Sequence, residues 1–112
     1  MRSLILLIIP VALSAQQVPK GAGAQNGKKL FDSYGCYQCH GYVAQGGSAG
    51  ARLAPKPIQF TTFAGYVRRP TDQMPPFTAK VLPDRDLADI YAYLQSIPPA
   101  PAAKDIQQLK NY

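Results

Sequence analysis

Apolar residues are unevenly placed along the chain, and their spacing predicts a short set of helices. After Arg2, Leu4-Ile5-Leu6-Leu7-Ile8-Ile9-Pro10-Val11-Ala12-Leu13 form one apolar run that ends on the small residues Ser14-Ala15. The run is about ten residues, half of the ~20 that a helix needs to cross a bilayer. A positive start, a short apolar stretch and a small-residue exit predict a secretory signal peptide over 1–15, cleaved after Ala15, with an uncleaved anchor as the alternative. No cysteine lies directly after the run, which argues against a lipid-anchored mature end. Residues 16–25 mix Gly, Ala and Gln without periodicity and read as a flexible lead-in.

The next apolar positions are Leu30, Phe31 and Tyr34, spaced as one stripe of a short helix. Asn26 can cap that helix, which then runs from Gly27 to about Tyr34, and Gly35 breaks it. Residues 41–58 carry Gly41, Gly46, Gly47, Gly50, Pro55 and Pro57, a composition that excludes a long helix or a central strand. Phe63, Tyr66 and Val67 predict a second short helix from Phe60 to Val67, closed by Pro70. Residues 70–83 hold Pro70, Pro75, Pro76 and Pro83 around Met74, a stiff segment without regular structure. The clearest helix is the last. Asp84 serves as its N-cap, Asp86 favours its first turn, Leu87, Ile90, Tyr91 and Leu94 line one face, and Pro98-Pro99 ends it. A Pro/Ala-rich and then polar tail fills 98–112, where Ile106, Leu109 and Tyr112 suit one turn or two. Nothing alternates long enough to build a sheet, so residues 26–97 read as one all-α domain.

Size sharpens this picture. Without its leader the chain is small for a self-sufficient core, and a domain of that size needs an internal fixture such as a disulfide, a metal or a cofactor. Seven Tyr and four Phe are available for packing, with no Trp. The chain has two cysteines, Cys36 and Cys39. A bridge between them would close too small a loop to restrain the unfolded chain. Net charge is +6, all six acids are Asp, and Lys28-Lys29 and Arg68-Arg69 are pairs rather than runs, so no nucleic-acid partner is expected. One histidine and no glutamate leave little for general acid–base work, and no enzyme activity is expected.

Cys36-Tyr37-Gln38-Cys39-His40 is C-x-x-C-H, the pattern of c-type haem attachment. Its spacing has a physical reason. Residues i, i+3 and i+4 share one face of a helical turn, so both thiols reach the vinyl groups on one porphyrin edge and the adjacent imidazole points under the ring. A thioredoxin-like redox pair would need a βαβ context that the chain lacks. A structural zinc site wants four Cys or His ligands, and Cys36, Cys39 and His40 are all there are. One haem c, covalent through Cys36 and Cys39, is therefore the expected cofactor.

With His40 as the proximal ligand, elimination addresses the other axial position. His40 is the only histidine, and Met74 is the only methionine besides Met1. Met74 lies in Gln73-Met74-Pro75-Pro76-Phe77, where consecutive prolines restrict the backbone. A Met/His pair raises the reduction potential and closes the iron to small ligands, which favours electron transfer.

With these parts in place, the chain resembles the class I cytochrome c family over about residues 26–97. Gly27 and Phe31 match that family's first-helix pattern, and Ile90-Tyr91-Ala92-Tyr93-Leu94 its last. The resemblance implies three to four helices wrapped around one haem, with Gly27, Phe31, Ile90 and Tyr93 meeting where the first and last helices cross. Arg52-Leu53-Ala54-Pro55 looks like the family segment whose proline carbonyl accepts the proximal imidazole proton, which implies that role for Pro55, with Pro57 as the alternative. Tyr66, Arg52 and Arg68 are candidates for hydrogen bonds to the haem propionates, and for each Arg a solvated surface charge is the competing reading. Tyr66-Val67-Arg68-Arg69-Pro70 followed by Met74-Pro75-Pro76 resembles short bacterial members, which implies a periplasmic location.

The function expected is a one-electron carrier in a periplasmic chain. Lys28, Lys29, Lys56 and Lys80 would give it a mild positive field toward redox partner proteins with acidic docking surfaces. It would have no membrane span in its mature form, and would act as a monomer. One alternative is a cytochrome subunit of a periplasmic dehydrogenase or oxidase complex. Another is a haem-based gas sensor or peroxidase with Met74 off the iron, which predicts rapid carbon monoxide binding.

Overall fold

The computed structural model describes residues 22–110. The expected signal peptide over 1–15, most of the lead-in and Tyr112 lie outside the described residues. Four α-helices follow in order: α1 (Ala24–Ser33), α2 (Tyr37–His40), α3 (Phe60–Arg68) and α4 (Asp84–Ser96). Short 3-10 turns at Ala103–Asp105 and Gln107–Leu109 make up the tail. Among the described residues there is no strand, and the fold is all-α.

The frame is the crossing of α1 and α4. Helix α4 buries Leu87, Ala88, Asp89, Ile90, Tyr91, Tyr93 and Leu94, more than one stripe, because it serves neighbours on two sides. Toward α1 it offers Tyr93, whose ring meets fully buried Phe31 edge-on at 5.5 Å. Gly27 lies at the closest approach, where a Cβ would overlap the backbone carbonyl of Asp89. Toward α3 it offers Tyr91, whose ring lies 5.2 Å from Phe60 and 5.3 Å from Phe63. The Tyr91 hydroxyl donates to the Ile58 carbonyl at 2.8 Å, so the aromatic body packs while its polar tip is satisfied. Phe63, Val67, Leu82, Ala44 and Ala54 complete the core.

Both ends of the frame differ from the capping expected of them. Asn26 is not an N-cap; α1 begins at Ala24, with Gly23 in the cap position. The reason is Asp89 on α4. One of its carboxylate oxygens accepts the Gly23 N–H at 2.7 Å and the other accepts the Asn26 side-chain amide at 2.7 Å. A partner helix thus supplies the cap, and the helix starts earlier than a local rule allows. At α4, Pro83 holds the N-cap position and Asp84 is the first helical residue. The Asp84 carboxylate turns instead to Arg68, at 2.6 Å.

Asp89 is buried, and the Asn26 and Gly23 hydrogen bonds hold its carboxyl below the usual carboxylate range. A depressed carboxyl stabilises the fold above its unfolded pKa, and that stability disappears as pH falls through the folded value. Asp89→Asn, which keeps the shape but turns a donor toward two donors, should cost about 2 kcal/mol at neutral pH. Thermal unfolding followed down the acid limb should show the gap between wild type and variant closing as Asp89 protonates. A gap that stayed constant would exclude Asp89 as a source of the acid sensitivity.

Candidate cofactor-attachment site

Helix α1 delivers the chain directly into the Cys-x-x-Cys-His segment. Gly35, at φ 75°, makes the left-handed turn between them, a conformation that favours glycine. The Cys36 N–H donates to the Phe31 carbonyl at 3.0 Å, so the new turn starts from the crossing itself. The His40 N–H donates to the Cys36 carbonyl at 3.0 Å, and Gly41, at φ 82°, ends α2 immediately afterwards. One turn therefore carries Cys36, Cys39 and His40, and both thiols are free. Cys36 packs against the core, where burial pushes its thiol up to about 11, while Cys39 is exposed.

The glycine-rich loop after α2 folds back over the imidazole. Its own closure is local: the buried Ala44 carbonyl accepts the N–H groups of Leu53 at 2.9 Å and Ala54 at 3.2 Å. The Gly46 N–H donates to the His40 carbonyl at 2.8 Å. Gly50 lies against α2 so closely that a Cβ would come within 2.7 Å of the Cys39 carbonyl oxygen and 3.0 Å of His40 Nδ1. The next carbonyl, that of Ala51, lies 2.7 Å from His40 Nδ1. A carbonyl can only accept, so Nδ1 carries the proton and Nε2 is left with its lone pair free. This corrects the expectation for Pro55 and its alternative Pro57. The close pass at Gly50 brings the chain onto the histidine several residues before either proline.

The segment carrying Met74 is tied down from α3 and from the C-cap of α1. Met74 is half-buried and packs against the core cluster, as does Phe77. The Phe77 N–H donates to the Val67 carbonyl of α3 at 3.0 Å, and its own carbonyl accepts Arg68 Nη1 at 2.8 Å. From α1, the Tyr34 ring meets Phe77 edge-on at 6.1 Å and its hydroxyl donates to the Val81 carbonyl at 2.7 Å. Arg68 thus places its two terminal nitrogens on protein partners, Phe77 and Asp84. Arg52 is exposed and its Nε donates to the Gln45 carbonyl at 3.2 Å, while the Tyr66 hydroxyl lies 3.4 Å from Thr71 Oγ1.

Two tyrosines beside the attachment turn escaped the sequence reading as site residues. Tyr37, between the cysteines, stacks on Tyr42 with ring centroids 4.9 Å apart, and the Tyr93 hydroxyl donates to the Tyr42 carbonyl at 3.2 Å. No spacing rule pairs residues across a left-handed loop. The lysines also differ from one another: Lys28 is bound to Asp32 at 2.8 Å, so Lys29, Lys56 and Lys80 carry the exposed unpaired charge.

The donor set points to a haem rather than a bare ion. Among the described residues no three His, Cys, Asp or Glu side chains converge on one point as metal ligands. Two free thiols and one oriented imidazole on a single turn, with a thioether on a separately anchored loop, fit covalent attachment to a ring whose iron takes the imidazole. Residues 22–94 match the family described as cytochrome c oxidase, cbb3-type, subunit III. The chain belongs to that family. This cytochrome is also 28% identical over 92 residues to cytochrome c-555 of Methylococcus capsulatus, covering 80% of this chain and 75% of that one. No solved structure matches it. Membership makes it a c-type cytochrome, a family of covalent haem c proteins that are generally electron carriers. No helix among its described residues is long and apolar enough to cross a membrane.

Proposed function

We propose that this protein is a mono-haem, one-electron carrier exported to the periplasm, with haem c bound through Cys36 and Cys39 and the iron held by His40 and Met74. The observation that carries the proposal is the His40 imidazole, fixed by the Ala51 carbonyl on the same turn as the two thiols. When bound, haem c supplies the ferrous–ferric couple. The chain's part is to hold and tune it. Cys36 and Cys39 fasten the ring edge to the turn that continues from α1. The Ala51 carbonyl fixes the His40 tautomer and strengthens the imidazole as a donor. Met74 would bring a soft sulfur from a loop that Tyr34, Val67 and Arg68 keep in place, a ligand type that favours the ferrous state. Tyr66 and Arg52 remain the candidates for the propionates. The sequence of residues 1–15, a positive start, a short apolar run and small residues at its end, supports the location.

The test is the absorption spectrum of protein matured in an export-competent host, with and without Met74→Ala. Sharp ferrous haem c bands that survive acid–acetone extraction are expected, with a weak ferric near-infrared band of Met–iron ligation that the substitution abolishes. Haem bands without that Met signature, together with rapid carbon monoxide binding, would move the protein to the sensor or peroxidase reading. A chain without covalent haem would sink the proposal. Lys29, Lys56 and Lys80 supply positive charge for encounter with acidic partners, so electron-transfer rates should fall as salt rises. Rates indifferent to salt would remove that part.

The family match favours a second reading, a subunit of an oxidase complex, because the matched family is described as an oxidase subunit. Solubilised native membranes separate the two. A carrier elutes alone, whereas a subunit copurifies in stoichiometric amount with an oxidase.

A further inference from the structure

Arg68 stands at the joint between α3 and the methionine segment, and its two terminal nitrogens bind different parts of the chain. Nη1 donates to the Phe77 carbonyl at 2.8 Å in a part-buried bond, and Nη2 donates to the Asp84 carboxylate at 2.6 Å. The Arg68 side chain is 19% exposed, whereas that of Asp84 is 88% exposed. Of the two contacts, the first therefore carries the energy, because an exposed ion pair is screened by water and salt. Phe77 is three residues beyond Met74, across Pro75 and Pro76, whose fixed φ angles let the Phe77 anchor set where Met74 can be. The Phe77 N–H is tied to Val67 at 3.0 Å, so Arg68 closes the second half of a two-bond clamp on a single residue, one bond on each side of its Cα.

We infer that Arg68 is a positioning residue for Met74: by holding the Phe77 carbonyl it keeps the methionine sulfur on the iron against competing ligands. The inference rests on Met74 ligation as proposed above. A charge-assisted bond to a part-buried carbonyl has no substitute in its place, since the neighbouring Arg69 is exposed and belongs to the end of α3. Breaking it loosens Phe77, which the prolines couple to Met74, and the populations with sulfur bound and unbound move toward each other.

The experiment uses the haem-loaded ferric protein and imidazole as the competing ligand. Arg68→Leu should bind imidazole about tenfold more tightly than wild type, the effect of one charge-assisted hydrogen bond. It should also weaken the near-infrared Met band at neutral pH. Asp84→Asn, which spares the Phe77 bond, should change imidazole affinity less than about twofold, as expected for an exposed pair. Asp89→Asn serves as the comparator, since it loosens the α1–α4 crossing and should lower thermal stability without changing imidazole affinity. If wild type has the Met band, Met74→Ala abolishes it and Arg68→Leu leaves both band and affinity as in wild type, the clamp is overturned while Met74 ligation stands. If Asp89→Asn raises imidazole affinity as much as Arg68→Leu, the effect is general loosening and the clamp is again overturned. If wild type lacks the band and matches Met74→Ala, the ligation reading fails and takes the clamp with it.

Discussion

Gly27→Val should destabilise the haem-loaded protein by about 3 kcal/mol, the upper part of the range for overpacked interiors. For a domain of this size that corresponds to a fall of roughly 15 °C in the unfolding midpoint. The cause is backbone against backbone. A Cβ at position 27 would overlap the Asp89 carbonyl and come within 2.9 Å of the Tyr93 Cβ, and neither can swing aside as a long side chain would. Relief requires α1 to move off α4, which weakens the Phe31–Tyr93 contact and stretches the Asp89 bonds to Gly23 and Asn26 together. Gly27→Ala should act in the same direction at about 2 kcal/mol, because the ~1 kcal/mol gained in helix propensity is smaller than the overlap. Gly65 provides the contrast. It lies in α3 with no neighbour within 4 Å of an added Cβ, so Gly65→Ala should be stabilising by up to about 1 kcal/mol. Midpoints from circular dichroism of the three variants check the set. Equal effects at positions 27 and 65 would mean that helix propensity, not the crossing, decides.

The crossing was legible because its parts are local in sequence and strong in chemistry. Leu87, Ile90, Tyr91 and Leu94 at helical spacing mark one element wherever it packs, and Gly27 with Phe31 matches a family pattern. Boundaries were less legible, and for a physical reason. Asn26 reads as a cap when only its own neighbours are considered, yet the cap of α1 comes from Asp89, far along the chain. Asp84 reads as a cap in the same way, but Arg68 claims its carboxylate. In each case a tertiary bond outcompetes a local one, and no window along the chain contains both partners.

The same distinction runs through the site. Cys36, Cys39 and His40 were legible because one helical turn suffices to bring them together. The group that orients the imidazole was not, since it is a backbone carbonyl and any residue can supply one. Arg52-Leu53-Ala54-Pro55 pointed to Pro55, whereas Gly50 lets the chain press onto α2 and presents the Ala51 carbonyl first. Arg68 was singled out for its charge, and the structure uses that charge within the protein, on the Phe77 carbonyl. Gly50 itself carried the better signal: a glycine in a loop beside a ligand marks a close backbone approach.

Replacing both thiols, Cys36→Ala with Cys39→Ala, should remove covalent haem altogether and, with it, most of the fold. The chain's own core is concentrated on α1 and α4: Phe31 of α1 and Leu87, Ile90, Tyr93 and Leu94 of α4 are all buried. The rest is long irregular chain, the loop from Gly41 to Gln59 and the segment from Arg69 to Pro83, held by scattered hydrogen bonds from His40, Ala44, Val67, Arg68, Tyr91 and Tyr34. Ordering one such residue costs about 1–2 kcal/mol of conformational entropy, which scattered bonds of about 1 kcal/mol cannot offset. A covalently held haem offsets it by giving those segments a large apolar body to pack on. The double variant, expressed without residues 1–15 and freed of haem, should therefore lose well over half of its helical circular dichroism and unfold without a cooperative transition. Adding back free haemin should restore only part of the signal, because His40 and Met74 would have to hold the ring unaided. A haem-free variant with native-like helix content and a sharp midpoint would show instead that α1 and α4 order the loops by themselves, and that haem is a guest rather than part of the core.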